Sequence, residues 1–461
     1  MTSKTTSVYR WRWVVMFAVI AADIMDLLDA TMLNVAGPSI REDIGGSPAV
    51  LQWLTAGYTL SFAMFLIAGA RLGDIFGRRR MFIIGISGFT LASALCALFS
   101  SPELLIVLRI FQGAFGAVLI PQGVGMLMEV FEESEMAKVF STFGMIMTIG
   151  TVAGPIIGGL LISVNWFNLG WRLVFLVNVP IGILALIGAI YTSPKVVTHE
   201  GTRLDIPGTA LIGIGIVSIV YPLIEGREAG WPMWTFLLIA FGVLLSILFV
   251  WYEQRRSDSP LIEHSLMKNQ TFWIGMLAVF AFFATYGGIS FIISVFCQVG
   301  QHFSPIKTAM TLLPMVVSMV IARFTTDRLS KILGRKLIHI GIGLVALGII
   351  ILAVTAMGKT SLSIWAMVPA MAVIGFGSNY CLSLIVPSAL TEVSKSEIGS
   401  ASGVINAIQQ IAGALGTAVL GTLFFAWLFS SQPATHALSI TLWVCLVPLV
   451  IAFVLAFKLP K

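Results

Sequence analysis

Long apolar runs broken by short polar ones set the pattern of this 461-residue chain. A membrane crossing needs about 20 mostly apolar residues in a helix. Fourteen windows meet that length: 14–38, 51–70, 81–99, 104–127, 139–164, 172–191, 207–224, 233–252, 272–297, 308–326, 337–356, 362–390, 399–429 and 438–457. The pattern therefore predicts an all-α integral membrane protein. Only 10% of the residues are charged, against about 25% in soluble domains. No cleavable signal peptide is expected, because the apolar run after Trp13 is long, carries charge and reads as a retained span.

The first window breaks the pattern. Asp23, Asp26 and Asp29 stand inside it at spacing i, i+3, i+6. On a helix they fall within about 120° of one face. A charged Asp at the centre of a lipid-facing helix costs about 2.5–3.5 kcal/mol on the lenient insertion scale. Three on one face must look into protein or a watered cavity. Two readings follow: a fixed polar network between helices, or an ion or substrate path. Arg109, in the fourth window, sits at about the depth of Asp29 and is the natural partner for it. Asp26 and Asp23 lie about 4.5 and 9 Å further along the axis and have no such base.

Charge placement gives an orientation. With an even number of spans both termini lie on one side. Of the 27 Lys and Arg, 21 fall on that side, counting Arg323 at the end of its span with the following loop. Arg41, Arg172, Arg227, Lys307 and Lys359 fall on the other side, and Arg109 lies within a span. The positive-inside rule then places both termini in the cytoplasm. The net charge of +6 is a topological signal, not a sign of nucleic acid, and no nucleic-acid partner is expected.

Arg71-Leu-Gly-Asp-Ile-Phe-Gly-Arg-Arg79, between spans 2 and 3, aligns without gaps on Arg328-Leu-Ser-Lys-Ile-Leu-Gly-Arg-Lys336, between spans 10 and 11. Arg, Leu, Ile, Gly and Arg coincide. A repeat in the same orientation implies two parallel half-units of six spans. Spans 7 and 8 are then an insertion. The expected division is 1–191 for the first six-helix bundle, 192–270 for two inserted helices and their linkers, and 271–461 for the second bundle.

The chain resembles the major facilitator superfamily over essentially its whole length, and within it the fourteen-span drug:proton antiporters. The most specific match is Leu28-Asp29-Ala-Thr31-Met-Leu-Asn34-Val-Ala36-Gly-Pro38 in span 1. Arg109-Ile-Phe-Gln112-Gly113 resembles the family's Arg-x-x-Gln-Gly motif. Gly150-Thr-Val-Ala-Gly154-Pro155-Ile-Ile-Gly158-Gly159 resembles its antiporter motif. The 71–79 loop resembles its gating motif, except that Ile75 replaces the usual base. In the second copy Lys331 stands where Asp74 does. The resemblance implies two six-helix bundles plus two extra helices and a proton-coupled exporter of lipophilic, plausibly cationic drugs from the cytoplasm. It makes Asp29 the membrane acid, with Arg109, Asp26 and Asp23 in proton coupling. Asp74, Gly77, Arg78, Arg79, Gly154, Pro155 and Gly158 become gating residues. Small residues at such spacing also occur as plain packing faces in any membrane bundle.

Asp26, Asp23, Trp53, Tyr58, Phe62, Gln112 and Tyr286 are the candidate lining of a substrate cavity. The second half has amides in or beside its spans, Gln298, Asn379, Asn406, Gln409 and Gln410, but no embedded acid. These amides either line a path or join helices. The four cysteines lie in apolar stretches and the five histidines have no metal-ligand spacing, so neither disulfide, metal nor cofactor is expected. No Ser–His pair, paired-acid site or nucleotide-binding loop points to an enzyme. The expected partners are a small lipophilic substrate, protons and the bilayer, with the monomer as the working unit. Alternatives are an exporter dedicated to one antibiotic or metabolite, including a tetracycline-type compound, and an importer.

Overall fold

The computed structural model describes residues 9–192, 204–256, 261–394, 397–430 and 432–459, with some side chains of the fifth helix left out. Most of the linker expected at 192–206 lies outside the described residues. The chain forms sixteen α-helices among them: α1 Arg12–Ile44, α2 Ala49–Phe76, α3 Arg78–Leu98, α4 Pro102–Val130, α5 Glu133–Val164, α6 Arg172–Leu176, α7 Asn178–Thr192, α8 Ile206–Glu225, α9 Met233–Arg255, α10 His264–Lys268, α11 Gln270–Val295, α12 Pro305–Leu333, α13 Lys336–Ala356, α14 Ile364–Leu390, α15 Ile398–Leu428 and α16 Ala434–Ala456. The short α6 runs directly into α7 as one span. Among the described residues, twelve helical stretches are long and apolar enough to cross a membrane. With α1 and α5, of 33 and 32 residues, they make the fourteen that the hydrophobic pattern predicts.

Helix ends follow local chemistry. Ser101, Asn269, Ser304 and Ser363 accept from the backbone N–H three residues on and start α4, α11, α12 and α14, as side-chain N-caps do. Gly77 and Gly334 stop α2 and α12 at φ +90° and +50°, a conformation that costs other residues about 1–2 kcal/mol. One boundary differs from expectation. Helix α1 does not end near Pro38 but runs to Ile44. Pro38 forfeits one backbone bond, while Ile40 is fully buried in the turn beyond it and anchors the extension. Asp29 is therefore about 22 Å from that helix end, near the middle of α1 and not close to its terminus.

Helices α1–α7 pack as one bundle and α11–α16 as another, while α8 and α9 pair with each other and α8 lies against both α2 and α15. One end of the molecule carries both repeated loops. Arg335 of the second loop donates to Phe457 O and Leu459 O after α16, at 2.7 Å each. Arg78 of the first loop reaches Glu129 at the end of α4, and Arg12 reaches Glu135 at the start of α5. The two described chain ends thus share this motif end.

The bundles join at the opposite, far end. Gln52 of α2 donates to Thr417 O (3.1 Å) and Ala418 O (2.9 Å) of α15. Gln298 donates to Val35 O of α1 at 2.8 Å, and Ser294 donates to Asn34 O. Gly159 of α5 lies so close to α12 that a Cβ there would meet Ala309 Cβ at 2.9 Å. The turn between α8 and α9 clamps the same seam. Glu225 accepts from Trp53 Nε1 at 2.6 Å, Glu228 accepts from Ala49 N at 3.1 Å, and Thr422 donates to Leu223 O at 2.7 Å. Glu225-Gly226 and Gly230-Trp231 are structural parts of this clamp. Gly230 has φ +74°, and a Cβ on Gly226 would stand 2.8 Å from the Trp231 ring.

Candidate functional site: a row of acids on the first helix

Asp29 and Arg109 meet as the sequence predicts. Both are almost wholly buried, at 1% exposed, and Arg109 Nη1 pairs with Asp29 Oδ2. The other carboxylate oxygen, Oδ1, accepts from Gln112 Nε2 and from Asn178 Nδ2, at 2.9 Å each. Arg109 also donates to Gln112 Oε1 at 2.6 Å and to Leu54 O at 3.1 Å. Its guanidinium carbon lies 4.3 Å from the centre of the Tyr58 ring, a cation–π contact. Four helices, α1, α2, α4 and α7, thus converge on one ion pair with its hydrogen bonds satisfied, the condition under which a buried pair is tolerated.

Small residues make the convergence possible. A Cβ on Gly113 would lie 2.2 Å from Tyr58 O, so α2 and α4 touch backbone to backbone beside Arg109. A Cβ on Gly154 would lie 1.9 Å from Thr31 Oγ1, and one on Gly158 would lie 3.1 Å from Met32 Cβ. The glycines of α5 therefore seat α1 one turn beyond Asp29. Pro155 sits inside α5 between them.

The other two acids have different surroundings. Asp26 is half-buried and accepts from the Tyr58 hydroxyl. Gly116 of α4 faces it and Phe62 together: a Cβ there would stand 3.2 Å from both. Asp26, Ala30 and Asn34 are partly exposed along one side of α1. That side ends where Asn34 meets Ser294 of α11, so it faces the second bundle. Asp23 is 6% exposed, and its Oδ1 has no hydrogen-bond partner among the described residues.

Tyr58, Phe62 and Gln112 thus gather at the acids, and two of the proposed lining residues do not. Trp53 lies on the α2–α8 contact, 5.8 Å from the Tyr221 ring. Tyr286 belongs to the second bundle, stacked on Phe282 at 6.1 Å. Asn178 and Ser93, which donates to Phe175 O and accepts from Asn178 at 3.1 Å, are members that the sequence reading missed. The only signal was a lone amide in the apolar run of span 6. In the second bundle Asn379 accepts from Thr326 at 2.9 Å. Both Gln298 and Asn379 therefore join helices.

At the motif end, Asp74 pairs with Arg78 (3.3 Å), which also reaches Glu129 (3.4 Å). Arg78 lies in a groove that Gly125 leaves open, since a Cβ there would overlap the guanidinium. Arg79 donates to Ile190 O at 2.5 Å, near the carboxyl end of α7. Arg335 does the same for α16. An arginine holds a helix carboxyl end in both copies, one position apart in register. Asp74 faces Arg78, the first residue of α3.

The described residues thus form two helical bundles of membrane-spanning length with a row of acids buried between helices of the first. The Major Facilitator Superfamily profile matches residues 19–417, and the chain belongs to that superfamily. Among relatives, the probable actinorhodin transporter of Streptomyces coelicolor is 42% identical over 93% of this chain and 75% of its own length. The puromycin resistance protein of Streptomyces alboniger is 32% identical over 89% and 82%. The multidrug resistance protein Stp of Mycobacterium tuberculosis is 31% identical over 88% and 74%. These place the chain in the drug-efflux branch of the superfamily. Among solved structures, a POT family transporter in complex with a thioalcohol-conjugated peptide superposes with a TM-score of 0.71 at 15% identity, covering 98% of this chain and 97% of that one. That likeness concerns the fold alone.

Proposed function

We propose that this chain is a proton-coupled antiporter that exports lipophilic, cationic drugs across the cytoplasmic membrane. The observation that carries the reading is the contrast on α1. Asp29 is bound by Arg109, Gln112 and Asn178, while Asp26 keeps one donor and a partly exposed side toward the second bundle. A proton arriving at Asp29 cancels its attraction for Arg109 and frees four helices to shift. Asp26 is the acid that a cationic substrate meets. Asp23, buried with an orphan oxygen, belongs to coupling and not to substrate contact.

The motif end is assigned to the cytoplasm by the charge bias, which puts both termini there. The hydrogen bonds that join the bundles then lie at the outer end, so this conformation is closed outward. The bundles, 1–191 and 271–461, rock about the acid row in alternating access, and the insert 192–270 rides on the seam. Asp74, Gly77, Arg78 and Arg79, with Gly154, Pro155 and Gly158, act in gating, and the monomer suffices.

Dye efflux from proteoliposomes under an imposed pH gradient tests the reading. Gradient-driven export by the native protein, absent in D29N, is expected; export that ignores the gradient would refute coupling. A second reading, an exporter dedicated to one antibiotic, is favoured by the name of the 42% identical relative, a probable transporter of a single compound. Competition by unrelated dyes separates the two.

A further inference from the structure

Two more carboxyls are buried far from the acid row, where the inserted helices meet their connectors. Asp205, 2% exposed, caps α8: its Oδ1 accepts from Gly208 N at 3.0 Å and from Arg256 Nη1 at 2.5 Å. Glu253, fully buried in the last turn of α9, accepts from Ile262 N through Oε2 at 3.2 Å. The second oxygen of each acid, Asp205 Oδ2 and Glu253 Oε1, is buried with no donor among the described groups. Both point into one hollow. A Cβ on Gly208 would stand 2.1 Å from Asp205 Oδ2 and 2.9 Å from Glu253 Oε1, so only glycine leaves room for them.

Two bare carboxylate oxygens brought together in a dry place repel, and neither is satisfied. One proton between them removes both problems: it bonds the pair and leaves a single negative charge, as in other close carboxyl pairs. We propose that Asp205 and Glu253 share a proton, forming a proton-binding site separate from the one on α1. This holds whether or not Asp29 carries the transport proton.

Basic and acidic groups both face the pair. From α9, Arg256 and the Tyr252 hydroxyl approach Asp205. From α2, Arg71 acts on both acids, with Asp74 beyond it. From the connector, Glu263 lies near Arg71 and beside Glu397, which accepts from Ser265. A cleft of about 270 Å³ between α2 and the start of α8, lined by Met64, Leu72 and Asp205 among others, borders the Asp205 side of the pair. The shared proton ties the start of α8 to the end of α9 and, through Ile262, to the connector into the second bundle. It is therefore a proton-dependent joint between the insert and that bundle.

In the native fold the pair keeps a proton that the unfolded chain releases. Its contribution to stability is thus present at low pH and lost as pH rises through the pair's titration. The test is the thermal unfolding midpoint of the purified full chain against pH, for wild type, E253Q and D205N. The wild-type midpoint should fall by a few degrees from mildly acid to alkaline pH. Each variant replaces the shared proton by an amide N–H, so its profile should be flatter, with the higher midpoint at alkaline pH. Infrared spectra should show a carboxylic-acid C=O band in the wild type that E253Q lacks. Either folded variant keeping the full wild-type slope, or E253Q keeping that band, would overturn the proposal; D205N decides if E253Q does not fold.

Discussion

The two bundles share a fold and differ in chemistry. Each has a loop whose glycine takes positive φ, Gly77 and Gly334, and an arginine holding the carboxyl end of its last helix. Each also packs helices through glycines pressed on a neighbouring backbone or side chain. Yet the first bundle carries three acids and an arginine inside its helices, and the second meets the same geometric need with neutral bonds such as Thr326 to Asn379. The lesson is that backbone geometry was kept in both halves while ionisable chemistry sits in one. Charge movement is then expected on one side of the seam, with the other side serving as a wall that rocks against it.

The largest expected effect breaks this contrast at its strongest point. Removing one partner of a buried pair costs about 3–5 kcal/mol, so R109A should unfold more readily than wild type and lose gradient-driven export. D29N keeps an acceptor for Gln112 and Asn178 but leaves Arg109 without its counter-charge, so it too should lower the midpoint and lose export. The matched change in the second bundle, N379A, removes one neutral hydrogen bond, worth about 1 kcal/mol, and should leave coupling intact. Unfolding midpoints and proteoliposome flux measured together would decide. Full coupling in D29N would make the pair structural.

Packing should show no such asymmetry. In G154A the new methyl meets Thr31 Oγ1 at 1.9 Å, and in G375A it meets Met315 O at 1.9 Å. Overpacking costs about 1–3 kcal/mol, with G375A at the upper end because a backbone carbonyl cannot rotate away. Both variants should lower the unfolding midpoint. Tolerance of either one would mean that its helices are further apart in the dominant conformation.

A third change separates the acids from each other. D26N should weaken export of cationic dyes several-fold and spare neutral ones, because Asp26 is the member of the row with a partly exposed side. Equal loss for both dye classes would assign Asp26 to coupling.

Much of this was legible beforehand because it is local. The fourteen apolar runs and the three acids on one face both follow from spacing along the chain. The Arg109–Asp29 pair was reachable because an intramembrane arginine must find an acid. Asn178 and Ser93 were not, since a lone neutral amide or hydroxyl can satisfy itself locally and does not demand a partner. The extension of α1 past Pro38 depends on the burial of Ile40, a tertiary fact. Trp53 shows the same limit: its aromatic body suits a cavity or a helix contact, and only the position of Glu225 on α8 decides. The shared hollow of Asp205 and Glu253 joins residues of two helices through a glycine, and no spacing rule reaches that far.

The smallest effect concerns the two loops. Asp74, Arg78 and Glu129 form a partly exposed chain of charges, and such pairs are worth about 0–1 kcal/mol in stability. Lys331 has no place in an equivalent chain, and Arg335 goes to the carbonyls after α16 instead. D74N frees Arg78 from one of its two acids at a point where α2 turns into α3, far from Asp26. It should therefore slow turnover a few-fold with substrate affinity unchanged, and the unfolding midpoint should move little. K331A should alter neither turnover nor affinity by as much. Side-by-side measurement of maximal efflux rate and half-saturating dye concentration separates the outcomes. If K331A slows turnover as much as D74N, the second loop gates by means other than its acid, and the chemical asymmetry of the bundles stops at the membrane core. If D74N weakens affinity instead, the loop belongs to the substrate path.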